Sequence, residues 1–294
     1  MAAVAVTTFA WAFPPLIIKE STMDPLAFAA YRLWAGVALY AVIFAVTGRR
    51  LRWKTLKACG PGGLLFAVDV ALAFTAFRYT TVADATIIGS LSTITITIGA
   101  AIWFGERLHR SELAFVILSV VGVAIVAIGS SGTPAFSLLG DLAAIGSVFT
   151  WTAYWLYSKR ARGDAGALEY MASVMLVAAI AMTVLAPVSG ASMSWPDAND
   201  WLGLFTVALF AGAVGHSLVA WSHQHVEAWL ASLILNAQPL VSVSLAWLLL
   251  DEKITLVTAI GGVVVLGSTA IVVVRQGRSH PQEFEDAEPT APSP

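Results

Sequence analysis

The chain repeatedly runs for twenty residues or more without a charged side chain. Stretches free of Asp, Glu, Lys and Arg extend from Ala85 to Gly105, Leu113 to Gly140, Tyr170 to Pro196, Leu202 to Ser222, Ala228 to Leu250 and Ile254 to Val274. A helix needs roughly 20 mostly apolar residues to cross a hydrocarbon core about 30 Å thick, so each stretch is long enough to span a bilayer. Met1 to Ile18 and Leu142 to Ser158 are somewhat shorter, and Leu26 to Thr47 and Pro61 to Phe77 are interrupted by one charge each, Arg32 and Asp69. Composition agrees: 58% of the residues are hydrophobic and 12% charged, against about 25% charged in soluble domains. The expectation is an all-α membrane protein of ten transmembrane helices. The first stretch reads as a helix that is kept, because it lacks a basic leading segment, carries Pro14 and Pro15 centrally, and is followed by Lys19 rather than a small-residue cleavage site.

Lys and Arg are retained in short cytoplasmic loops. With the N-terminus inside, Arg49, Arg50, Arg52, Lys54, Lys57, Arg107, Arg110, Lys159, Arg160, Arg162, Arg275 and Arg278 fall on the cytoplasmic side, against Lys19, Arg78 and Lys253 outside. Both termini are therefore expected in the cytoplasm. The segment 279–294 is Pro-rich and acidic and reads as a disordered cytoplasmic tail. Its Glu283, Glu285, Asp286 and Glu288 account for much of the acidic side of a net charge of −2, which gives no sign of a nucleic-acid partner. Cys59 is the sole cysteine, assigned to the basic loop, so neither an internal disulfide nor a CxxC site can form.

An internal duplication shows when the chain is slid along itself. At a shift of 146, Ala85, Ile88, Ala100, Glu106, Ala124, Ile125 and Val126 fall on Ala231, Ile234, Ala246, Glu252, Ala270, Ile271 and Val272. At a shift of 140, Phe9, Trp11, Lys19 and Ala27 fall on Phe149, Trp151, Lys159 and Ala167. The halves are read as 1–130 and 131–278. Five helices in each half would place the second upside down relative to the first, an arrangement that serves alternating access.

Several motifs resemble the drug/metabolite transporter superfamily, in particular its EamA-type ten-helix members. They are F-A-W-A-F-P-P at Phe9 to Pro15, the pair Tyr31 and Arg32, and two helices ending in an acidic turn, I-W-F-G-E-R at Ile102 to Arg107 and L-L-L-D-E-K at Leu248 to Lys253. Length, aromatic richness and the R-Y-T-T-V-A-D segment are similar to the YddG-like group of bacterial inner-membrane exporters. The resemblance implies export of aromatic amino acids, Phe, Tyr or Trp, with cationic drugs tolerated.

The residues themselves give that substrate class partial support. Of 11 Trp, Trp53, Trp195, Trp201 and Trp229 lie near span ends, where amphipathic rings favour the interface. Trp11, Trp151 and Trp155 are deeper, and Trp103 lies nearer the cytoplasmic end. These four either line a cavity for a flat ligand or pack between helices. Tyr79, Ala83, Thr86, Ser90, Thr93 and Thr97 form a polar stripe on the fourth helix, matched by Ser232 and Asn236 in its repeat. Hydroxyls of this kind either meet a ligand or bond back to their own helix. Asn236 and Gln238 need partners in hydrocarbon, and Pro14, Pro15 and Pro239 each release a helical carbonyl, that of Trp11 in the case of Pro15. The prolines and Gly89 are candidate hinges or gates.

Ionisable groups inside a membrane cost at least about 2.5 kcal/mol each and point to function by default. Arg32, Asp69, Asp84 and His216 are the ones to explain. Arg32 either pairs with Asp69 or holds a substrate carboxylate, Asp84 either lines a mouth or caps a helix, and His216 is a satisfied interior ring or a pH sensor. So few groups argue for facilitated diffusion or exchange rather than a proton relay. His223, His225 and Glu227 share one short loop with no second ligand cluster, so a catalytic metal is not expected, nor any cofactor. The expected protein is a monomer in a lipid bilayer, handling a small-molecule substrate. Carriage of other amphipathic metabolites or cationic drugs is the nearest alternative; a channel, a lipid scramblase or a membrane enzyme is more distant.

Overall fold

The computed structural model describes residues 1–12, 14, 17, 21–106, 108–131, 137–163, 165–250 and 254–279. Among them there is no strand. The helices are α1 (Ala2–Ala12), α2 (Pro25–Thr47), α3 (Trp53–Tyr79), α4 (Val82–Ser90), α5 (Ser92–Phe104), α6 (Arg110–Ser131), α7 (Leu138–Ala161), α8 (Ala167–Val188), α9 (Ala198–Val207), a π-helical segment (Ala208–His216), α10 (Ser217–Ser222), α11 (Ala228–Leu235), α12 (Gln238–Leu250) and α13 (Leu256–Ser279). The pairs α4–α5 and α11–α12 form interrupted rods, and α9, the π segment and α10 run on as one.

Eight of these rods are long and apolar enough to cross a membrane. The short apolar helix α1 and the less apolar, 24-residue α7 are not among the eight. The outside of the bundle is what lipid requires: Val46, Ile102, Val188, Leu202, Val263 and Leu256 are each at least 70% exposed. Water would make such a surface a liability, whereas hydrocarbon makes it ordinary.

Local signals explain where helices begin. Asp24 accepts the Leu26 amide at 2.9 Å and Pro25 opens α2, a side-chain cap followed by proline where no N–H is needed. Pro239 stands in the first turn of α12, again where its missing donor costs little, so the rod breaks just before it, at Asn236 and Ala237. The α4–α5 break falls at Leu91, which the 146-residue shift maps onto Ala237. No proline stands there.

Three sequence expectations change. The third rod begins at Trp53, not Pro61, because the helix tolerates Lys54 and Lys57 at its end; Cys59 is therefore inside α3 and 1% exposed rather than in a loop. Tyr79 ends α3, so it does not share a stripe with the α4 and α5 residues. Trp229 is fully buried rather than interfacial, its indole N–H donating to Glu227 at 2.8 Å. Gly261 lies so close to α6 that a Cβ would stand 2.8 Å from the Gly122 carbonyl oxygen. Small residues permit that approach where no hydrophobic drive separates helix from lipid. The segment 280–294, which holds nearly all of the expected tail, lies outside the described residues.

Contacts between the helices up to Ser131 and those from Leu138 onward come largely in pairs. Helix α3 packs on α7 and α8, while the rod containing the π segment packs on α1 and α2; α4 and α5 pack on α7, while α11 and α12 pack on α1. Helix α6 packs along α13, α2 along α8, and α5 along α11. Matching α1 with α7, α2 with α8, α3 with the rod of the π segment, α4 with α11, α5 with α12 and α6 with α13 turns each of these contacts, except that of α5 on α11, into another of them or into itself.

Candidate substrate site

Between α1, α3, α7 and the π segment the interior is aromatic. Trp11 meets Trp151 edge to face with ring centroids 5.6 Å apart, and His216 lies 4.7 Å from Trp11 and 4.9 Å from Phe66. Trp151 also contacts Tyr154 at 5.4 Å and Trp155 at 5.6 Å. Such geometries suit ring quadrupoles and contribute about 0.5–1.5 kcal/mol per pair beyond burial. Trp155, Tyr154 and Phe66 are buried, but Trp11 and Trp151 keep part of their surface free.

The π segment fixes Trp11. Its wider turns follow from a run of small residues, Ala208, Ala211, Gly212, Ala213 and Gly215, and its carbonyls take bonds from other helices. Trp11 Nε1 donates to the Ala211 carbonyl at 3.0 Å, Thr7 Oγ1 to that of Gly215 at 3.2 Å, and the Tyr40 hydroxyl to that of Ala213 at 3.4 Å. Gly215 is obligatory beside the indole, because a Cβ there would lie 2.5 Å from Trp11 Nε1. On the other flank, Gln238 Nε2 donates to the Trp11 carbonyl at 2.8 Å and Ser242 Oγ to that of Ala12 at 3.1 Å. Sequence reasoning singled out both the carbonyl that Pro15 releases and the amide of Gln238, but not that one satisfies the other.

Charge gathers next to these rings. Asp69 is buried and accepts from Ser147 Oγ at 2.7 Å. Arg32 interacts electrostatically with Asp69 and His216, and its buried Nε has no hydrogen-bond partner among the described residues. A cation, a carboxylate and flat aromatic surface thus share one interior region.

Other sequence candidates lie elsewhere. Trp103 is 64% exposed on the outer surface of α5, far from the cluster in character. Tyr79 is half exposed under the Arg78 guanidinium, at 5.7 Å. Asp84 forms a reciprocal cap with Thr81, whose Oγ1 accepts the Asp84 amide at 3.0 Å and donates to Asp84 Oδ2 at 2.8 Å. Ser90 donates to the Ile87 carbonyl and Ser232 to that of Trp229, both back-bonds within the helix, and Asn236 Nδ2 donates to Ser119 Oγ at 2.9 Å. Thr86 is partly buried in α4, where Gly89 has open space at its Cβ position. Pro14 is helical and partly buried, and Pro15 lies outside the described residues.

Sequence reasoning missed the closure of the basic end. The buried Glu106 carboxylate accepts the amides of Ala228 at 3.0 Å and Trp229 at 3.3 Å, and pairs with Lys159 Nζ at 2.7 Å. One side chain at the end of α5 thereby holds the N-terminus of α11 and the end of α7, satisfying orphan amides with the charge that a helix N-terminus favours. Lys159 Nζ also donates to the Val226 carbonyl at 3.0 Å. Beside it, Arg162 Nε donates to the Ala220 carbonyl at 2.7 Å and Nη2 to Gln224 Oε1 at 2.8 Å, while His223 Nδ1 is 3.0 Å from Ser158 Oγ and its ring 4.8 Å from that of Trp155. Burial, with Lys159 and Arg162 adding repulsion, holds His223 down to a pKa of about 3. Burial raises the Glu227 carboxyl, partly offset by its bond from the Trp229 indole. The signal was present in the acidic turn at Glu106, but its partners lie far along the chain, Lys159 on α7 and the Ala228 and Trp229 amides at the start of α11. Among the described residues no group of three His, Cys, Asp or Glu is placed to hold a metal ion.

Comparison with known proteins agrees with this geometry. The chain is 27% identical over 280 residues to an uncharacterized transporter of Archaeoglobus fulgidus, covering 92% of this chain and 96% of the relative. It is 24% identical over 269 residues to a protein of Escherichia coli K12 named as a probable amino-acid metabolite efflux pump, covering 87% and 88%. A crystal structure of a protein given no more specific name matches its fold with a TM-score of 0.81 at 19% identity, covering 94% of this chain and 97% of the other. The model of the EamA-like transporter family matches residues 1–128 and 138–274, nearly the whole length. The named relatives are transporters rather than enzymes, and with nearly its whole length matched the chain belongs to the EamA-like transporter family.

Proposed function

We propose that the protein exports amino acids with aromatic side chains by alternating access, as facilitated diffusion or exchange. The observation that carries this reading is the meeting of Trp11 and Trp151, equivalent positions of the two halves, beside His216 and the Arg32–Asp69 region. A free amino acid is a zwitterion with a side chain: the ring stacks on the free faces of Trp11 and Trp151, Arg32 Nε takes the carboxylate, and Asp69 attracts the ammonium. The amino-acid efflux named for the Escherichia coli relative is consistent with this.

The same reading has ten spans, with α1 and α7 crossing as the first helix of each half. The halves are 1–130 and 131–278 and are inverted relative to one another. The paired contacts, the matched breaks at Leu91 and Ala237 and the separate family matches in each half support it. The basic end faces the cytoplasm of a bacterial inner membrane, with both termini there, and Glu106 and Lys159 close that side. Both halves of one chain build the site, so a monomer suffices.

Flux of radiolabelled phenylalanine, tryptophan and leucine into proteoliposomes, with and without a pH gradient, tests the proposal. Saturable, gradient-independent flux favouring the aromatic pair supports it. Equal flux of leucine would remove the aromatic assignment, and no flux of any of the three would move the substrate to other amphipathic metabolites or drugs.

A further inference from the structure

Arg49, Arg50 and Arg52 follow Gly48, whose left-handed backbone (φ 66°) ends α2 and turns the chain back. The turn folds the loop against the start of α8 around a cavity of about 630 Å³, lined by these three arginines with Thr55, Gly166 and Glu169 among others. That volume is in the range of small-molecule sites. Glu169 engages Arg49 at 2.6 Å, whereas Arg50 and Arg52 are exposed and make no ion pair among the described residues. Gly166 opens α8 with the Glu169 carboxylate folded back against it, so that carboxylate already faces the helix end and the arginines carry the remaining positive charge. Three guanidiniums against one carboxylate make this an anion site.

Its position says which anion. The cavity lies at the ends of the membrane rods α2, α3 and α8. Trp53, at the start of α3, is 67% exposed with Lys57 Nζ 5.3 Å from its ring centre, the behaviour of an interfacial anchor at headgroup depth. In the last two turns of α2, just before this loop, Val42 and Val46 are exposed and apolar, as a lipid-facing helix end requires. We propose that this cavity binds the phosphate of an anionic phospholipid of the phosphatidylglycerol type, a site separate from the transport pathway. Basic pockets beside transmembrane helices recognise such headgroups by charge and by planar guanidinium contacts.

Native mass spectrometry of the full-length protein, titrated with phosphatidylglycerol, phosphatidylcholine or inorganic phosphate, tests it. Phosphatidylglycerol should be retained in preference to phosphatidylcholine, and excess inorganic phosphate should not displace it. Arg50→Gln with Arg52→Gln should weaken retention about thirtyfold. Arg50→Lys with Arg52→Lys should keep most of it and shows that the site is folded. Lys54→Gln with Lys57→Gln, an equal change of charge outside the cavity lining, should leave it intact. Equal retention of both lipids, wild-type retention by the double glutamine variant, or equal loss in the lysine control would overturn the proposal. Displacement by inorganic phosphate would overturn the lipid assignment and leave a soluble-anion site.

Discussion

Gln238 donates its side-chain amide to the backbone carbonyl of Trp11 at 2.8 Å, joining the start of α12 to the end of α1. Pro15 has no N–H to offer that carbonyl, so the Gln238 side chain supplies a donor that the following chain lacks. Gln238→Leu should leave the carbonyl orphaned at a cost of about 1–3 kcal/mol. The expected result is a lower unfolding midpoint together with weaker substrate binding, because Trp11 loses its anchor. An unchanged midpoint would show that water or a neighbour takes over the carbonyl.

Trp11→Ala and Trp151→Ala should each weaken binding of an aromatic amino acid by about tenfold, roughly 1.4 kcal/mol, with smaller effects on leucine. Gly215→Ala tests the same site without removing a ring: its Cβ would push the indole from the Ala211 carbonyl. Tryptophan binding measured by scintillation proximity should fall for all three. Wild-type affinity in both tryptophan variants would sink the aromatic site.

Glu106→Gln removes a charge from a carboxylate that holds Lys159 and two α11 amides at once. The basic end should then open more often. Ser222→Cys, introduced where the wild-type side chain is fully buried and combined with Cys59→Ala, should react faster with a maleimide in the Glu106→Gln background than without it. An equal labelling rate would mean that this carboxylate does not latch the end.

His223 supplies a pH dependence. Folded, it titrates near 3; unfolded, near 6.5. Between those values the unfolded chain binds a proton that the folded chain does not, so stability falls as pH falls through this window, by about 1.4 kcal/mol per unit. The unfolding midpoint of the wild type should drop more between pH about 7.5 and about 5.5 than that of His223→Gln. Parallel losses in the two proteins would assign the effect to other groups.

What the sequence revealed, and what it hid, follows from the solvent. Charge-free length alone marks most rods, and the 140-residue shift puts Trp11 and Trp151 at corresponding positions, but that their rings meet is seen only in the structure. Faces were not readable. In water an apolar residue points inward, but in a bilayer Ile102 and Trp103 face lipid as readily as Trp155 and Trp229 face the interior. Periodicity therefore could not separate Trp103 from the cluster or carry Trp229 out of the interfacial belt. The π segment was equally silent, since Gly212 and Gly215 read as ordinary packing glycines until Trp11 is seen against one of them.

The segment Ala208–His216 holds more residues per turn than the α-helices on either side of it. Relaxing one such turn to α geometry would rotate everything beyond it by about 100°. His216, Ser217 and the carbonyls that hold Thr7, Trp11 and Tyr40 would swing out of register together. The orientation of the aromatic cluster is thus stored as a surplus in winding, and three side chains from two other helices act as the ratchet teeth that keep it from running down.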